Sequence, residues 1–215
     1  MEIVQTPVYT FDELSDRAKE KARDWWREGF EFDSHAECVI DDAATVADLF
    51  GLDIRQRRVN TPMHPTHKWG YAPSVYYSGF SSQGDGACFE GRYQYKKGAL
   101  AAVKAYAPQD TDLHGIVKAL QDAQRKAFYK LGANTAHRGH YYHSGCMSVD
   151  VCNLDDRWRD IGTLEDDVRD ALRWFADWIY KQLEEAYNFK TSDEIVDEHL
   201  AANGYTFTED GKRFG

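Results

Sequence analysis

Two short stretches gather the residue types that do chemistry. His137-Arg138-Gly139-His140-Tyr141-Tyr142-His143-Ser144-Gly145-Cys146 places three imidazoles and a thiol close together. Imidazole exchanges protons near neutral pH, and imidazole and thiolate both bind zinc. The spacing matches no standard zinc motif, so neither a metal centre nor another cofactor is expected. An undistorted strand would point His140 and His143 to opposite faces, whereas a bulge at Gly145 or a loop from His140 would change that geometry. Two catalytic pairings are conceivable: His143 as a general base oriented by Asp85, or Cys146 as a nucleophile activated by His140. The first needs hydrogen-bond reach and the second needs thiolate stabilisation. No G-x-S-x-G elbow or H-E-x-x-H motif accompanies them, so no catalytic residue is assigned. A phosphate-active hydrolase using Asp85, His140 and His143 is the second functional reading.

The other stretch, Ser82-Gln83-Gly84-Asp85-Gly86, joins two aromatic segments in YYSGFSSQGDGACFEGRYQY. It lacks the dinucleotide and Walker glycine patterns. Its glycines suit a turn that needs positive φ or close backbone approach, while Ser82, Gln83 and Asp85 supply compact hydrogen-bonding groups. It is either a tight reversal or part of a binding site. The candidate ligand-binding set is Tyr77, Ser82, Gln83, Asp85, Arg92, His140 and His143, with the Gly84-Asp85-Gly86 turn expected beside Tyr77 and the His140–His143 segment.

Positioning these groups requires an α+β scaffold: a central, mainly antiparallel sheet of hairpins flanked by amino- and carboxy-terminal helices, in one domain over residues 1–215. Residues 1–8 read as an edge strand limited by Pro7. Thr10 and Glu13 have capping-box spacing ahead of Leu14, Ala18, Ala22 and Trp25, with Trp25 and Trp26 expected to anchor the helix in the core or at an interface. Ser34 and Glu37 repeat that spacing before a helix ending at Gly51. Leu52 to Val59 reads as one half-buried strand carrying the basic cluster Arg55, Arg57 and Arg58, which either faces solvent or meets phosphate or an acidic partner. Asn60 to Pro73, with three prolines, reads as a long loop in which His64, His67 and Trp69 could line a ligand opening.

Further along, Leu100, Val103 and Tyr106 mark a short helix, and Asp112 to Leu131 a longer one stopping at Gly132. A second strand pair is expected over Gly139 to Asn153, and its YY…SG rhythm hints at a duplicated hairpin. Leu164 to Leu183 carries the strongest helical periodicity. A last helix over Thr191 to Asn203 precedes a terminal strand and turn.

Composition narrows the function classes. The net charge is −10, and from Leu154 onward 16 Asp or Glu face 8 Lys or Arg, a net of −8. Such a surface repels a phosphate backbone, which disfavours nucleic-acid binding, and it serves solubility or the capture of a basic protein. No apolar run approaches the ~20 residues of a membrane span, and the amino end lacks the pattern of a signal segment. Cys38, Cys88, Cys146 and Cys152 form no CxxC pair and are expected to be reduced, small packing groups.

The segments VYTFDELSDRAKEKARDWWREG, VYYSGFSSQGDGACFEG and YYHSGCMSVDV, with the acidic helix around Trp174 and the terminal TFTEDG, resemble a largely uncharacterised family of bacteriophage proteins. Some members carry an antitoxin-like label. The resemblance implies an accessory viral protein acting in the host cytoplasm, where it neutralises a host factor by binding a protein or sequesters a small signalling ligand. It supplies no catalytic residue, and oligomerisation is possible.

Overall fold

Local capping chemistry sets where the first helices begin. The computed structural model describes residues 6–60, 69–157 and 160–215. Most of the expected amino-terminal strand, together with His64 and His67, lies outside the described residues. Strand β1 spans Tyr9–Thr10. The Thr10–Glu13 capping box forms, but it closes only a 3-10 turn over Phe11–Glu13. Helix α1 (Asp16–Glu28) starts later, where the Ser15 hydroxyl accepts from the Ala18 amide at 3.4 Å. Helix α2 (Asp33–Leu49) begins one residue ahead of Ser34, the residue expected to cap it.

Six strands follow: β2 (Leu52–Ile54), β3 (Gln56–Asn60), β4 (Trp69–Pro73), β5 (Val75–Tyr77), β6 (Ala87–Phe89) and β7 (Gly91–Gln94). Then come α3 (Ala99–Tyr106), α4 (Thr111–Lys126), β8 (Leu131–His137) and β9 (Met147–Asn153). Helices α5 (Leu164–Lys190) and α6 (Asp193–Ala202) and strand β10 (Thr206–Phe207) complete the order. All strand pairings among the described residues are antiparallel, so the fold is α+β. By contact density the chain divides into two compact units, one made of the described residues up to Ala36 with Glu185–Gly215, the other of Glu37–Glu184.

In the first unit, β1 pairs with β10 through Tyr9↔Phe207 and Thr10↔Thr206. Phe11, Leu14, Ala18, Ala22, Val196, Leu200 and Phe207 form its apolar core. Arg23 clamps α1 to α6 by a two-pronged bond to Asp197, both contacts at 2.7 Å, in a part-buried setting where such forks contribute more than exposed pairs. Trp25 is not a core residue: it is 36% exposed and meets Tyr205 and Phe207 edge-on. The periodicity placed it on the inner face, but small Ala18 and Ala22 occupy the contact with α6, and the bulky ring is displaced to the rim.

In the second unit, a four-stranded sheet runs in the order β2-β7-β8-β9. The row Leu52, Tyr93, Ala133, Val151 is buried, while the neighbouring row Asp53, Arg92, Asn134, Asp150 is exposed, as the two-residue period of a one-sided sheet requires. The core includes α5, whose Val168, Ala171, Leu172, Phe175, Ile179 and Leu183 recur at helical spacing.

Four local expectations change. Leu52 to Val59 is not one strand pairing in one sheet, because the chain exchanges partner at Arg55. Its amide donates to Glu90 and its carbonyl accepts from Ser74, so β2 pairs with β7 and β3 with β4. The end of the expected 60–73 loop is strand β4, which puts Trp69 opposite Asn60 and Tyr71 opposite Arg58. Helix α4 stops at Lys126 rather than at Gly132, because Phe128 and Tyr129 adopt φ of 54° and 62° and strand β8 takes over at Leu131. The second strand pair is β8–β9, whose register runs from Leu131↔Asn153 to His137↔Met147. Tyr141 and Tyr142 therefore lie in its connection, and the YY…SG repeat is not a repeated hairpin.

Candidate functional site

The β5–β6 hairpin and the β8–β9 connection meet at one place. Pairing Tyr76↔Cys88 and Tyr77↔Ala87 holds the ends of the loop, and the Ser78 amide donates to the Gly86 carbonyl at 3.1 Å. Within it, one Asp85 carboxylate oxygen accepts from the Ser81 and Ser82 amides at 3.0 and 2.6 Å. Those bonds, from Ser82 first and then from Ser81, hold the carboxyl below its ordinary range. Tyr180 anchors the loop from α5 by donating to the Gly79 carbonyl at 3.0 Å, with Phe80 ring-to-ring against both Tyr77 and Tyr180.

Close approach explains the loop's glycines. A Cβ on Gly86 would sit 3.0 Å from the His143 backbone and the Tyr142 carbonyl, and one on Gly84, where φ is +94°, would lie 3.6 Å from the Tyr141 ring. The turn thus lies against the 141–143 segment. Around it, Tyr76 and Tyr142 stack at 5.5 Å, with His137 at 6.1 Å from Tyr76 and 5.3 Å from Tyr142. Arg57, reaching from β3, lies over Tyr76 at 5.2 Å. Nearby on the β3–β4 ribbon, Arg58 covers Trp69 at 4.4 Å, and Trp69 and Tyr71 are exposed.

The imidazoles divide by role. His143 Nδ1 accepts from the Gly145 amide at 3.0 Å, capping the 3-10 turn Ser144–Cys146 and leaving Nε2 as the protonated nitrogen. His137 Nε2 bonds to the Gly139 carbonyl at 3.2 Å, while its buried Nδ1 has no partner among the described residues. His140 is exposed and meets Tyr141 edge-on. An undistorted strand is not the setting of His140 or His143: both follow the end of β8.

Of the expected ligand-binding set, Tyr77, Ser82, Gln83, Asp85, His140 and His143 belong to these two meeting segments. Arg92 belongs to the exposed sheet row between Asp53 and Asn134. Two of its three guanidinium nitrogens, Nε and Nη2, lie 3.0 Å from the Gln94 side-chain oxygen once that amide is oriented to accept. The expected ligand-binding set left out the members of the stack, Arg57, Tyr76, His137 and Tyr142, although the arginine run, the histidine run and the tyrosine pairs were visible. Among the described residues, no group of three or more His, Cys, Asp or Glu side chains is placed to hold a metal ion. The neighbouring thiols are unequal. Cys146 is exposed, whereas burial, reinforced by Cys146 and Glu90, pushes the Cys88 thiol up to about 12 and keeps it protonated at neutral pH.

The family model of a domain of unknown function, DUF8835, matches residues 35–193. The chain belongs to that family. The match takes in all of the second unit and therefore the whole loop junction. No curated protein and no solved structure matches the chain. No helix among the described residues is long and apolar enough to cross a membrane.

Asp85 makes the loop's order dependent on charge. Its carboxyl is more acidic folded than unfolded, so its contribution is present above the ordinary carboxylate range and is lost as pH falls through the lowered folded value. Asp85→Ala should speed amide exchange at Ser81 and Ser82 by about tenfold or more at neutral pH, and Asp85→Asn, which keeps an acceptor oxygen, should do so less. Hydrogen exchange read by NMR measures both. Equal protection in all three proteins would show that the carboxylate does not organise the turn.

Proposed function

We propose that this chain is a non-enzymatic binding protein that sequesters a small, ring-bearing anionic ligand at the loop junction of its second unit. The observation that carries this reading is the Arg57–Tyr76–Tyr142 stack, a guanidinium and two aligned rings at a surface where Tyr142 remains 36% exposed. Ring faces stack planar groups, and arginine meets phosphate or carboxylate in a fixed fork. The carboxylate of the glycine-rich loop does not oppose an anion fully, since Asp85 is engaged by two backbone amides. The same engagements favour binding over hydrolysis. Asp85 turns to its own loop, and His143 Nδ1 is taken by Gly145, so neither is arranged as a base with its orienting acid.

The resemblance to bacteriophage proteins adds the setting: an accessory protein in the host cytoplasm that withdraws a signalling ligand and so neutralises a host response. The acidic run after Leu154 supports a second form of the same role, capture of a basic host protein.

Native mass analysis of the purified chain, with released small molecules identified, tests the reading. We expect a retained aromatic anion, and Arg57→Ala or Tyr142→Ala should weaken its retention about tenfold, roughly 1.4 kcal/mol. Recovery of a basic protein alone, with no small molecule, would transfer the function to the acidic surface. Steady consumption of the retained molecule would establish the hydrolase instead.

A further inference from the structure

The first unit contains a cleft of about 610 Å³ that the loop-junction reading does not use. Its volume falls within the roughly 300–1,000 Å³ of small-molecule sites. One wall is a ladder of rings: Trp26 stacks on Phe30 at 4.8 Å and 20°, and Phe30 on His35 at 5.7 Å and 26°. His199 closes against it, edge-on to Trp26 at 5.3 Å. Arg213 already lies over Trp25 and Tyr205, at 5.7 and 4.9 Å, so a ligand cation is not needed on those two faces. Two opposite charges, Glu31 and Lys190, also line the cleft, and neither forms an ion pair among the described residues.

We infer that this cleft binds an aromatic zwitterion of the amino-acid class. The ring would pack along Trp26 and Phe30, the carboxylate would meet Lys190, and the ammonium would meet Glu31. Each part answers a feature of the wall. Stacked aromatic faces favour a planar group, and two separate unpaired charges favour a molecule that carries both complements. A ligand with one charge would satisfy one end and leave the other to water. The volume also leaves space for a substituent beyond a single amino acid.

Isothermal titration of the intact chain with three matched indoles tests this. L-tryptophan carries both charges, tryptamine only the ammonium, and indole-3-propionate only the carboxylate. Tryptophan should bind about tenfold more tightly than either analogue, roughly 1.4 kcal/mol. Lys190→Gln should lower tryptophan to the affinity of tryptamine while leaving tryptamine unchanged, and Glu31→Gln should produce the mirror result with indole-3-propionate. Both positions are at least partly exposed, and thermal unfolding verifies that each variant folds. If either variant proves unstable, the three probes on the native chain still decide the matter. Equal or tighter binding of a singly charged indole, or no binding of any indole at millimolar concentration, would overturn the inference. Arg57→Ala should leave tryptophan binding unchanged, which separates this site from the loop junction.

Discussion

Phe175→Ala should lower stability by about 3–5 kcal/mol, the range for emptying a well-packed aromatic position. The ring is fully buried on α5 and touches aromatic partners on three sides. Phe50 lies edge-on at 4.9 Å, Phe89 edge-on at 5.7 Å, and Trp178 stacks at 5.4 Å and 11°. Truncation removes those contacts together with the apolar transfer energy, and three rigid rings cannot easily collapse into the space. Phe175→Leu retains much of the volume and should cost less than the alanine change. Urea unfolding monitored by circular dichroism measures both. A loss below about 1 kcal/mol for alanine would mean that the site relaxes freely and that the aromatic cluster is not the core of the second unit.

Gln124→Leu should cost roughly 2–6 kcal/mol even though it places an apolar side chain in a fully buried position, because it strands two backbone groups at about 1–3 kcal/mol each. The Gln124 amide nitrogen donates to the Leu131 carbonyl at 2.8 Å, and its oxygen accepts from the Leu131 amide at 3.1 Å. That reciprocal pair joins the last turn of α4 to the first residue of β8. Burial pushes the Tyr93 hydroxyl up to about 12, an effect that the Gln124 side chain partly offsets. Gln124→Glu can keep both bonds only as the neutral acid, whose hydroxyl donates and whose carbonyl oxygen accepts. It should therefore fall between the native chain and leucine at acid pH, and lose stability as pH rises and the buried carboxyl ionises. Thermal and urea unfolding give the order of the three proteins. Native-like stability in the leucine variant would show that the Leu131 groups find other partners when the amide is removed.

The Gln124 bonds also explain why a well-read helix was given the wrong end. Leu113, Ile116, Val117 and Leu120 carry the helical period, and Phe128 and Leu131 continue it on paper. The chain instead turns through left-handed backbone at Phe128 and Tyr129, a conformation that residues with side chains rarely adopt. The Tyr129 amide donates to the Gln124 carbonyl at 2.7 Å, and the Gln124 side chain receives Leu131. A local rule sees the cost of that backbone but not the partner that compensates it.

The candidate site was legible by segment rather than by residue. The glycine-rich turn, the tyrosine pairs and the histidine run were visible because each concentrates unusual residue types within a few positions. Arg57, reaching Tyr76 from another hairpin, depended on a strand whose pairing partner changes at Arg55. The cleft of the first unit unites residues from α1 to Tyr205, for which no spacing rule exists.

Sequence alone determined the α+β class, the helical face of α5, the β5–β6 hairpin and the acidic balance, since periodicity, turn chemistry and formal charge act over neighbouring residues. Tertiary structure decided the rest. It placed Trp25 at the rim because Ala18 and Ala22 pack on α6, and it engaged Asp85 with Ser81 and Ser82 rather than with His143. It also stacked Arg57, Tyr76 and Tyr142 from three separate parts of the chain. Those outcomes follow from competition among distant groups for the same buried volume and the same hydrogen-bond partners, which only the folded chain resolves.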